Sequence, residues 1–368
     1  MPRNKFLAIK KYLHAADNQK LDGSKIAKVK SLYNILNKKM QQFGILHYKF
    51  SIDESMVPYF GHHSCKQFIR SKPIRFGYKL WALCSADGVP YKVNIYEGKT
   101  GDSTDGPLGS RVVNTLLQVC DKQNTHHVFM DNFLTSYDLM LDLKQRNFQA
   151  TGTVRDNRVK KCPITDTKTM KKKERGSYDY RSDGNVEVVK WHDNSVFTLC
   201  SNIVGVEPMG KVNRRAKGKG EVKVTQPAVV KEYNLEMGGV DLMDRALSDF
   251  RPRIIGKRWY WVLIMNALNI SVVFAWRIFE LIKGEKVPQK QFRNQLVYAM
   301  TKKEKAYPLN RPGASRTVPE TVRKDGIGYY PEGITPRKCV MCKKSAKIQC
   351  GKCDKTLHLM NCFQKFHE

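Results

Sequence analysis

Negative charge is what this chain has least of. Its 368 residues include 34 Asp and Glu against 65 Lys and Arg, a formal net charge of +31. The excess runs along the sequence: residues 155–235 hold 18 basic and 10 acidic side chains, and residues 283–368 hold 19 and 7. So extended a positive field suits a polyphosphate partner, because neutralising phosphates releases counterions. Charge alone does not separate DNA from RNA, or either from incidental binding to an anionic membrane. The opening residues, Met1-Pro2-Arg3-Asn4-Lys5, lack the apolar stretch expected of a signal peptide. Long apolar runs are scarce. The 18 residues from Trp259 to Trp276 carry no charge, but Asn266, Asn269 and Ser271 interrupt them and Lys257, Arg258 and Arg277 flank them. That pattern is expected of a buried helix in a soluble core, with no membrane involved. Cysteine is thin outside the last 30 residues, where five of the ten fall at metal-ligand spacing. This excludes a disulfide framework and fits an intracellular setting.

What is present is enough to build cores: 41% of the residues are hydrophobic, over a length that suits two or three domains. Helices are expected over 4–15 and 24–43. In the second, Ile26, Val29, Leu32, Leu36, Met40 and Phe43 recur every three or four residues, with Ser24 as the starting cap and Gly44 as the stop. A strand follows from Tyr48 to Ile52. Two alternating runs, Tyr78–Cys84 and Val89–Tyr96, are joined by an Asp87-Gly88 turn and read as a hairpin. Then come a helix over 107–119, a strand over 127–130, a helix over 135–145 and a strand over 150–154. Three strands, helix, strand, helix, strand is the order of an RNase H-like α/β core, in which antiparallel strands are continued by parallel ones through crossover helices. Residues 157–227 interrupt it and read as an inserted β-rich subdomain. The segment Lys211 to Lys223 is expected to be a mobile loop, whose Arg214, Arg215, Lys217 and Lys219 suit a nuclear localisation signal, a DNA-tracking loop or plain solvated chain. The core resumes near Tyr233 with one helix.

Three aspartates fall at ends of these elements. Asp53 and Asp131 each close a short apolar strand, and Asp241 opens the helix, with Asp244 three residues on along the same face. An aspartate after a strand is, singly, most often a turn or cap residue. Three of them at successive element ends of one topology instead suit a pair of Mg²⁺ or Mn²⁺ ions, which take a few hard oxygen ligands and leave room for water and a phosphate. Glu54 is expected to point away from such a site, since neighbours on a strand face opposite sides.

Several blocks also carry a family resemblance. Ser51-Ile-Asp-Glu-Ser-Met-Val-Pro-Tyr-Phe-Gly61, Lys72-Pro-Ile-Arg-Phe-Gly-Tyr-Lys79, Asp131-Asn-Phe-Leu-Thr-Ser-Tyr137, Gly152-Thr-Val-Arg155 and Gly238-Gly-Val-Asp-Leu-Met-Asp244 resemble the signature blocks of piggyBac-type transposases and the host proteins derived from them. The resemblance covers nearly the whole chain. It implies a catalytic triad at Asp53, Asp131 and Asp241 with a further functional aspartate at Asp244, Mg²⁺ as cofactor, and cut-and-paste chemistry on double-stranded DNA at TTAA sites through hairpin intermediates. A homodimer that holds two transposon ends in the nucleus is implied with it.

The resemblance divides the chain into a helical dimerisation and DNA-binding domain (1–47, shortened relative to the family, and 251–310), a catalytic domain (48–156 and 228–250) around the insertion, a linker (311–337) and a cysteine-rich domain (338–368). Trp259, Trp261, Leu263, Leu268 and Phe274 are expected to pack against the amino-terminal helices, and Arg251, Arg253, Lys257 and Arg258 to contact phosphates. His62 and Ser71 depart from the residues usual in the family. The alternative, from another class, is a domesticated DNA-binding protein that no longer cuts.

The last segment reads Cys339-x2-Cys342-x7-Cys350-x2-Cys353-x4-His358-x3-Cys362-x4-His367. Paired thiolates at this spacing bind Zn²⁺ in tight turns. Seven ligands suggest two ions in a cross-brace short of an eighth ligand, with the pairing open. The cluster stands where the family has its cysteine-rich, end-binding domain, so Lys343, Lys344 and Lys347 become candidate DNA contacts. A ubiquitin-ligase RING or a histone-tail reader would show the same spacing.

Overall fold

A computed structural model describes residues 2–70, 72–98, 106–120, 124–216, 220–254, 256–303, 324, 326 and 328–368. Ser71, Lys217, Lys219 and most of the linker read over 311–337 lie outside the described residues. The chain divides into two units, Met1–Leu296 and Val297–Glu368.

In the first unit, α1 (Arg3–Tyr12) is followed by α2 (Ala27–Met40), which buries Val29, Tyr33, Leu36 and Met40 along one stripe. Ser24 does not cap α2 with its side chain. Its carbonyl accepts the Ala27 N–H at 3.1 Å, and Ile26 stands at the cap position, so a backbone turn starts the helix.

Strands β1 (Lys49–Pro58), β2 (Lys66–Phe68), β3 (Phe76–Ser85), β4 (Pro90–Ile95), β5 (His126–Met130), β6 (Phe148–Val154), β7 (Tyr178–Ser182), β8 (Glu187–His192) and β9 (Val196–Ser201) form one nine-stranded sheet. Its order is β2-β3-β1-β5-β6-β9-β8-β7, with β4 on β3. β1 pairs antiparallel with β3 (Asp53 opposite Ala82) and parallel with β5 (Ile52 opposite Met130), and β5 pairs parallel with β6. Helices α3 (Leu108–Leu117) and α4 (Tyr137–Gln145) make the crossovers. β5 is buried along its whole length, as a central parallel strand must be, and so ends in a fixed position. The three-residue β2 has no pattern long enough to be legible beforehand.

Further expectations change. β1 runs on to Pro58, so Asp53 lies within the strand and does not close it. The strands of the insertion continue the main sheet, because β9 pairs antiparallel with β6, and α5 (Thr167–Lys172) lies against β8 and β9. The segment expected as a mobile loop contains a hairpin, β10 (Gly210–Ala216) with β11 (Gly220–Gln226). Its valines explain why: Val212, Val222 and Val224 alternate onto a second core of Val189, Trp191, Leu199, Val229 and Val230. The expected single helix is also two, α6 (Ala228–Glu236) and α7 (Gly239–Asp249).

α8 (Trp259–Lys283) is long and apolar enough to cross a membrane by length and composition, yet 56% of its most apolar window is buried within the protein. It packs on α2 and α7, where Leu263, Ile270 and Val273 are buried and Asn269 donates to the Leu247 carbonyl at 2.9 Å. Trp261, Leu263 and Phe274 are buried as expected, Trp259 stacks on His63 at 4.0 Å, and Leu268 is 51% exposed on the opposite side. α9 (Gln289–Lys303) follows. The second unit has a three-stranded sheet, β12 (Pro331–Lys338), β13 (Ser345–Cys350) and β14 (Lys355–Leu357), and a short helix, Cys362–His367.

Candidate active site and metal-binding clusters

The parallel register sets the first two aspartates side by side. Ile52 lies opposite Met130, so the next residue of each strand, Asp53 and Asp131, emerges at the same level of the sheet. Asp131 leaves β5 in a turn that its own side chain closes, with Oδ1 accepting the amides of Phe133 at 3.0 Å and Leu134 at 3.3 Å. The Thr135 hydroxyl donates to the Asp131 carbonyl at 2.8 Å, and Gly152 gives Thr135 its room, since a Cβ there would come within 2.3 Å of the Thr135 hydroxyl.

The sequence placed Glu54 outside this group, and the structure corrects that. One carboxylate oxygen each from Asp53, Glu54 and Asp131 lies within 4.8 Å of the others, while Asp241 is not among them. Neighbours do alternate sides along β1, but Glu is one methylene longer than Asp and Asp131 has already left its strand. The Glu54 carboxylate therefore comes round to the edge, where Lys72 Nζ (3.5 Å) and Lys79 Nζ (3.5 Å) meet it.

Asp241 and Asp244 arrive on α7, which lies against β1 and β3. Gly239 permits this close seat, because a Cβ there would fall 2.0 Å from the Ser85 carbonyl oxygen and 2.6 Å from the Ser51 hydroxyl. The Ser51 hydroxyl accepts the Val240 amide at 3.2 Å, pinning the first turn. Asp241 is exposed. Asp244, half-buried, accepts a short hydrogen bond from Ser55 of β1. Lys72 stands between the two groups, 3.7 Å from Asp53 and within electrostatic range of Asp241 and Asp244.

Crowding these acids has a charge cost. Burial pushes the Asp53 carboxyl up to about 7, with repulsion from Glu54 and Asp131 adding to it and Lys72 opposing it. Burial raises Asp244 to about 6, and burial and then Glu54 raise Asp131. Lys79 is lowered by burial, its ammonium 3.8 Å from the centre of the Trp81 ring. An acid cluster that resists losing its protons is one a divalent cation would stabilise, and hard oxygen donors are what Mg²⁺ and Mn²⁺ take. The residues present fit such an ion.

Of the expected phosphate contacts, Arg253, Lys257 and Arg258 are exposed, whereas Arg251 is half-buried beside Asp244. Lys257 and Arg258 line a cavity of about 700 Å³ with Lys11, Lys28, His14 and Trp259, and no carboxylate lines it.

In the second unit the cysteines and histidines gather into two interleaved sets, Cys339, Cys342, His358 and Cys362, and Cys350, Cys353 and His367. First and third pairs lie together, and the second pair lies with the last residue, the interleaving that a cross-brace would have. Each histidine has one ring nitrogen on a carbonyl, His358 Nε2 on Ser345 (2.9 Å) and His367 Nδ1 on Phe363 (2.7 Å). The other nitrogen faces a thiol, at 3.3 Å from Cys342 and 3.4 Å from Cys353. A carbonyl that fixes the ring is the usual support of a metal-ligating histidine. Burial would raise the Cys339 thiol, but the amides of Cys342, Met341 and His358 outweigh it and bring it down to about 6. The donor set fits Zn²⁺. Lys343, Lys344 and Lys347 are exposed beside the first set.

Lys72 and Lys79 begin and end one of the blocks that carried the family resemblance, yet their role was not read from sequence. What marks them is spatial, a loop and a strand brought to the acids by β-pairing.

A family model described as Transposase IS4 matches residues 1–276. Two curated human proteins are similar over essentially the whole chain. PiggyBac transposable element-derived protein 3 is 35% identical over 100% of this chain and 63% of its own length. PiggyBac transposable element-derived protein 2 is 33% identical over 99% of this chain and 63% of its own length. The chain thus spans less than two thirds of the relatives it matches. A cryo-EM structure titled piggyBac transposase synaptic complex with hairpin DNA is similar in fold, with a TM-score of 0.69 at 22% identity over 97% of this chain and 78% of that one.

Proposed function

The chain belongs to the piggyBac-type transposase family, and from that premise we propose that it is a DNA transposase, or a protein derived from one, that cleaves and joins double-stranded DNA at TTAA sites. The observation that carries this reading is the convergence of Asp53, Glu54 and Asp131 where β1 runs past the end of β5, with the helix bearing Asp241 and Asp244 laid against β1 and β3.

On this reading the sheet is an RNase H-like core, and Asp53, Asp131 and Asp241 hold two Mg²⁺ or Mn²⁺ ions. Ions so held supply Lewis acidity at the phosphate and a more acidic attacking hydroxyl. The protein's own contribution is placement. β1 and β5 fix Asp53 and Asp131, Ser55 orients Asp244, and α7 carries Asp241, exposed on its first turn, as the third residue that would hold the ions. Arg253, Lys257 and Arg258 bind the duplex backbone, and Arg251 steadies Asp244. Zn²⁺ ions in the cysteine-rich unit shape a surface on which Lys343, Lys344 and Lys347 hold transposon-end DNA. Two copies of the chain act together in the nucleus, paired through helices of residues 1–47 and 251–310, since two ends must be held at once. The neighbour whose structure contains hairpin DNA supports this choice of substrate.

A second reading is favoured by the printed names of the human relatives, which are element-derived proteins. In it the chain binds DNA and has ceased to cut, and Asp241 stays apart from the other acids.

The test is incubation of a labelled TTAA duplex with Mg²⁺ or Mn²⁺, using the purified chain and its Asp131→Asn variant. Metal-dependent cutting that Asp131→Asn loses supports the transposase. Binding without cutting by either protein supports the second reading.

A further inference from the structure

The site already contains a cation of its own. Lys72 lies on the loop between β2 and β3, which is closed by the Ile69 amide on the Arg75 carbonyl at 2.9 Å. Its ammonium sits 3.7 Å from Asp53 and 3.5 Å from Glu54, two of the three acids whose oxygens converge, and within electrostatic range of both aspartates of α7. Lys79 takes the other Glu54 oxygen, so Lys72 is the cation in ion-pair contact with Asp53 among the described residues. An ammonium offers one charge and a few N–H donors, whereas a divalent ion needs the carboxylate lone pairs themselves. The two therefore compete for the same oxygens.

We propose that Lys72 is a resident counter-ion of the carboxylate site: it holds the acids together while no metal is bound and is displaced when metal enters, which frees its ammonium beside the place a DNA phosphate would occupy. Lys72 is thus a positioning residue first and a phosphate contact second. The inference rests on the metal-dependent reading above. It accounts for the side on which the loop lies, and it explains how Asp53 and Glu54 stand together beside Asp131.

The test is Mn²⁺ binding to the full chain without DNA, followed by the electron paramagnetic resonance of the free ion. Wild type is compared with Lys72→Met, which keeps the length and removes the charge, and with Lys72→Arg, which keeps the charge. The expected result is several-fold tighter Mn²⁺ binding by Lys72→Met and near-unchanged binding by Lys72→Arg, while metal-dependent cutting by Lys72→Met falls at least tenfold. A lysine that only props up the loop would give weaker or unchanged Mn²⁺ binding in Lys72→Met, and that result overturns the proposal. Asp131→Asn separates the two levels of the argument. If wild type binds Mn²⁺ and Asp131→Asn does not, the metal reading stands whatever Lys72→Met shows. If wild type, Lys72→Met and Asp131→Asn all bind none, the metal reading fails and this proposal with it.

Discussion

The two ligand clusters of this protein are assembled in opposite ways. The thiols and imidazoles come from one stretch, Cys339 to His367, and the buried core around them is little more than Ala346, Leu357 and Phe366 beside the cysteines themselves. The carboxylates come from residues 53, 54, 131, 241 and 244, and an extensive apolar core built from β1, β3, β5, α2 and α8 holds their elements. The first cluster is the core of its unit, whereas the second is mounted on a core that exists without it. The lesson is that one cluster is made by local spacing and is its unit's core, while the other is made by the tertiary fold and carries a cost in charge.

The largest effect expected from this contrast is in the second unit. Chelating Zn²⁺, or Cys353→Ser, should unfold residues 331–368, since metal binding in such small modules supplies about 10–16 kcal/mol of apparent folding free energy. Limited proteolysis should then cut within the second unit while the melting of residues 1–296 stays put. Equal protection with and without chelator would break the comparison.

Next in size is the seat of α7. Gly239→Ala puts a methyl against the Ser85 carbonyl, backbone that has no room to yield. A loss of about 3 kcal/mol is expected from overpacking, read as a lower denaturant midpoint at unchanged slope. A neutral Gly239→Ala would mean that α7 is not held as described.

Glu54→Gln sharpens the carboxylate side. If the Glu54 oxygen belongs to the converged group, Mn²⁺ affinity should fall on the order of tenfold, the effect typical of removing a ligand's immediate support. No change would return Glu54 to the bystander role expected from strand alternation.

The smallest effect is a pH slope. The folded-state pKa values of Asp53, Asp244 and Asp131 are raised, so between the ordinary carboxylate range and about pH 7 these three groups hold more protons in the folded protein than in the unfolded chain. Their contribution to stability without metal should therefore fall as pH rises through that window, by at most about 1.4 kcal/mol per pH unit for each such group, while His127, lowered by burial to about 4, works in the opposite direction below its ordinary range. Thermal melts of wild type and Asp53→Asn in chelator from pH 5 to 8 isolate the carboxylate part: the wild type should lose stability relative to Asp53→Asn as pH rises. Parallel curves for the two proteins would contradict the burial-driven shift of Asp53.

The same contrast explains what the sequence disclosed. Ligand spacing in Cys339–His367 is local, so all seven residues could be named and only their pairing waited for the fold. β5 was legible because a buried parallel strand is an apolar run, and Asp131 was visible because it follows that run, whereas Asp53 lies inside β1, which continues to Pro58. Glu54 was misplaced because strand alternation describes Cβ directions and says nothing of a longer side chain reaching round an edge. Lys72 has no local signature: only its loop, brought to β1 through β3, gives it a part. The hairpin of β10 and β11 was hidden by its basic residues, although Val212, Val222 and Val224 already fell on one face of it.

The central claim is that Asp53, Asp131 and Asp241 act as one metal-dependent unit although Asp241 lies outside the tight group. It is tested most directly by the rate of Mn²⁺-dependent cutting of a TTAA duplex by wild type and by the three Asp→Asn variants measured side by side. The account expects each variant to lose at least on the order of a hundredfold, Asp241→Asn as much as the others, with duplex binding intact. Wild-type cutting that survives in Asp241→Asn would contradict it and leave the acids of β1 and β5 as the whole site.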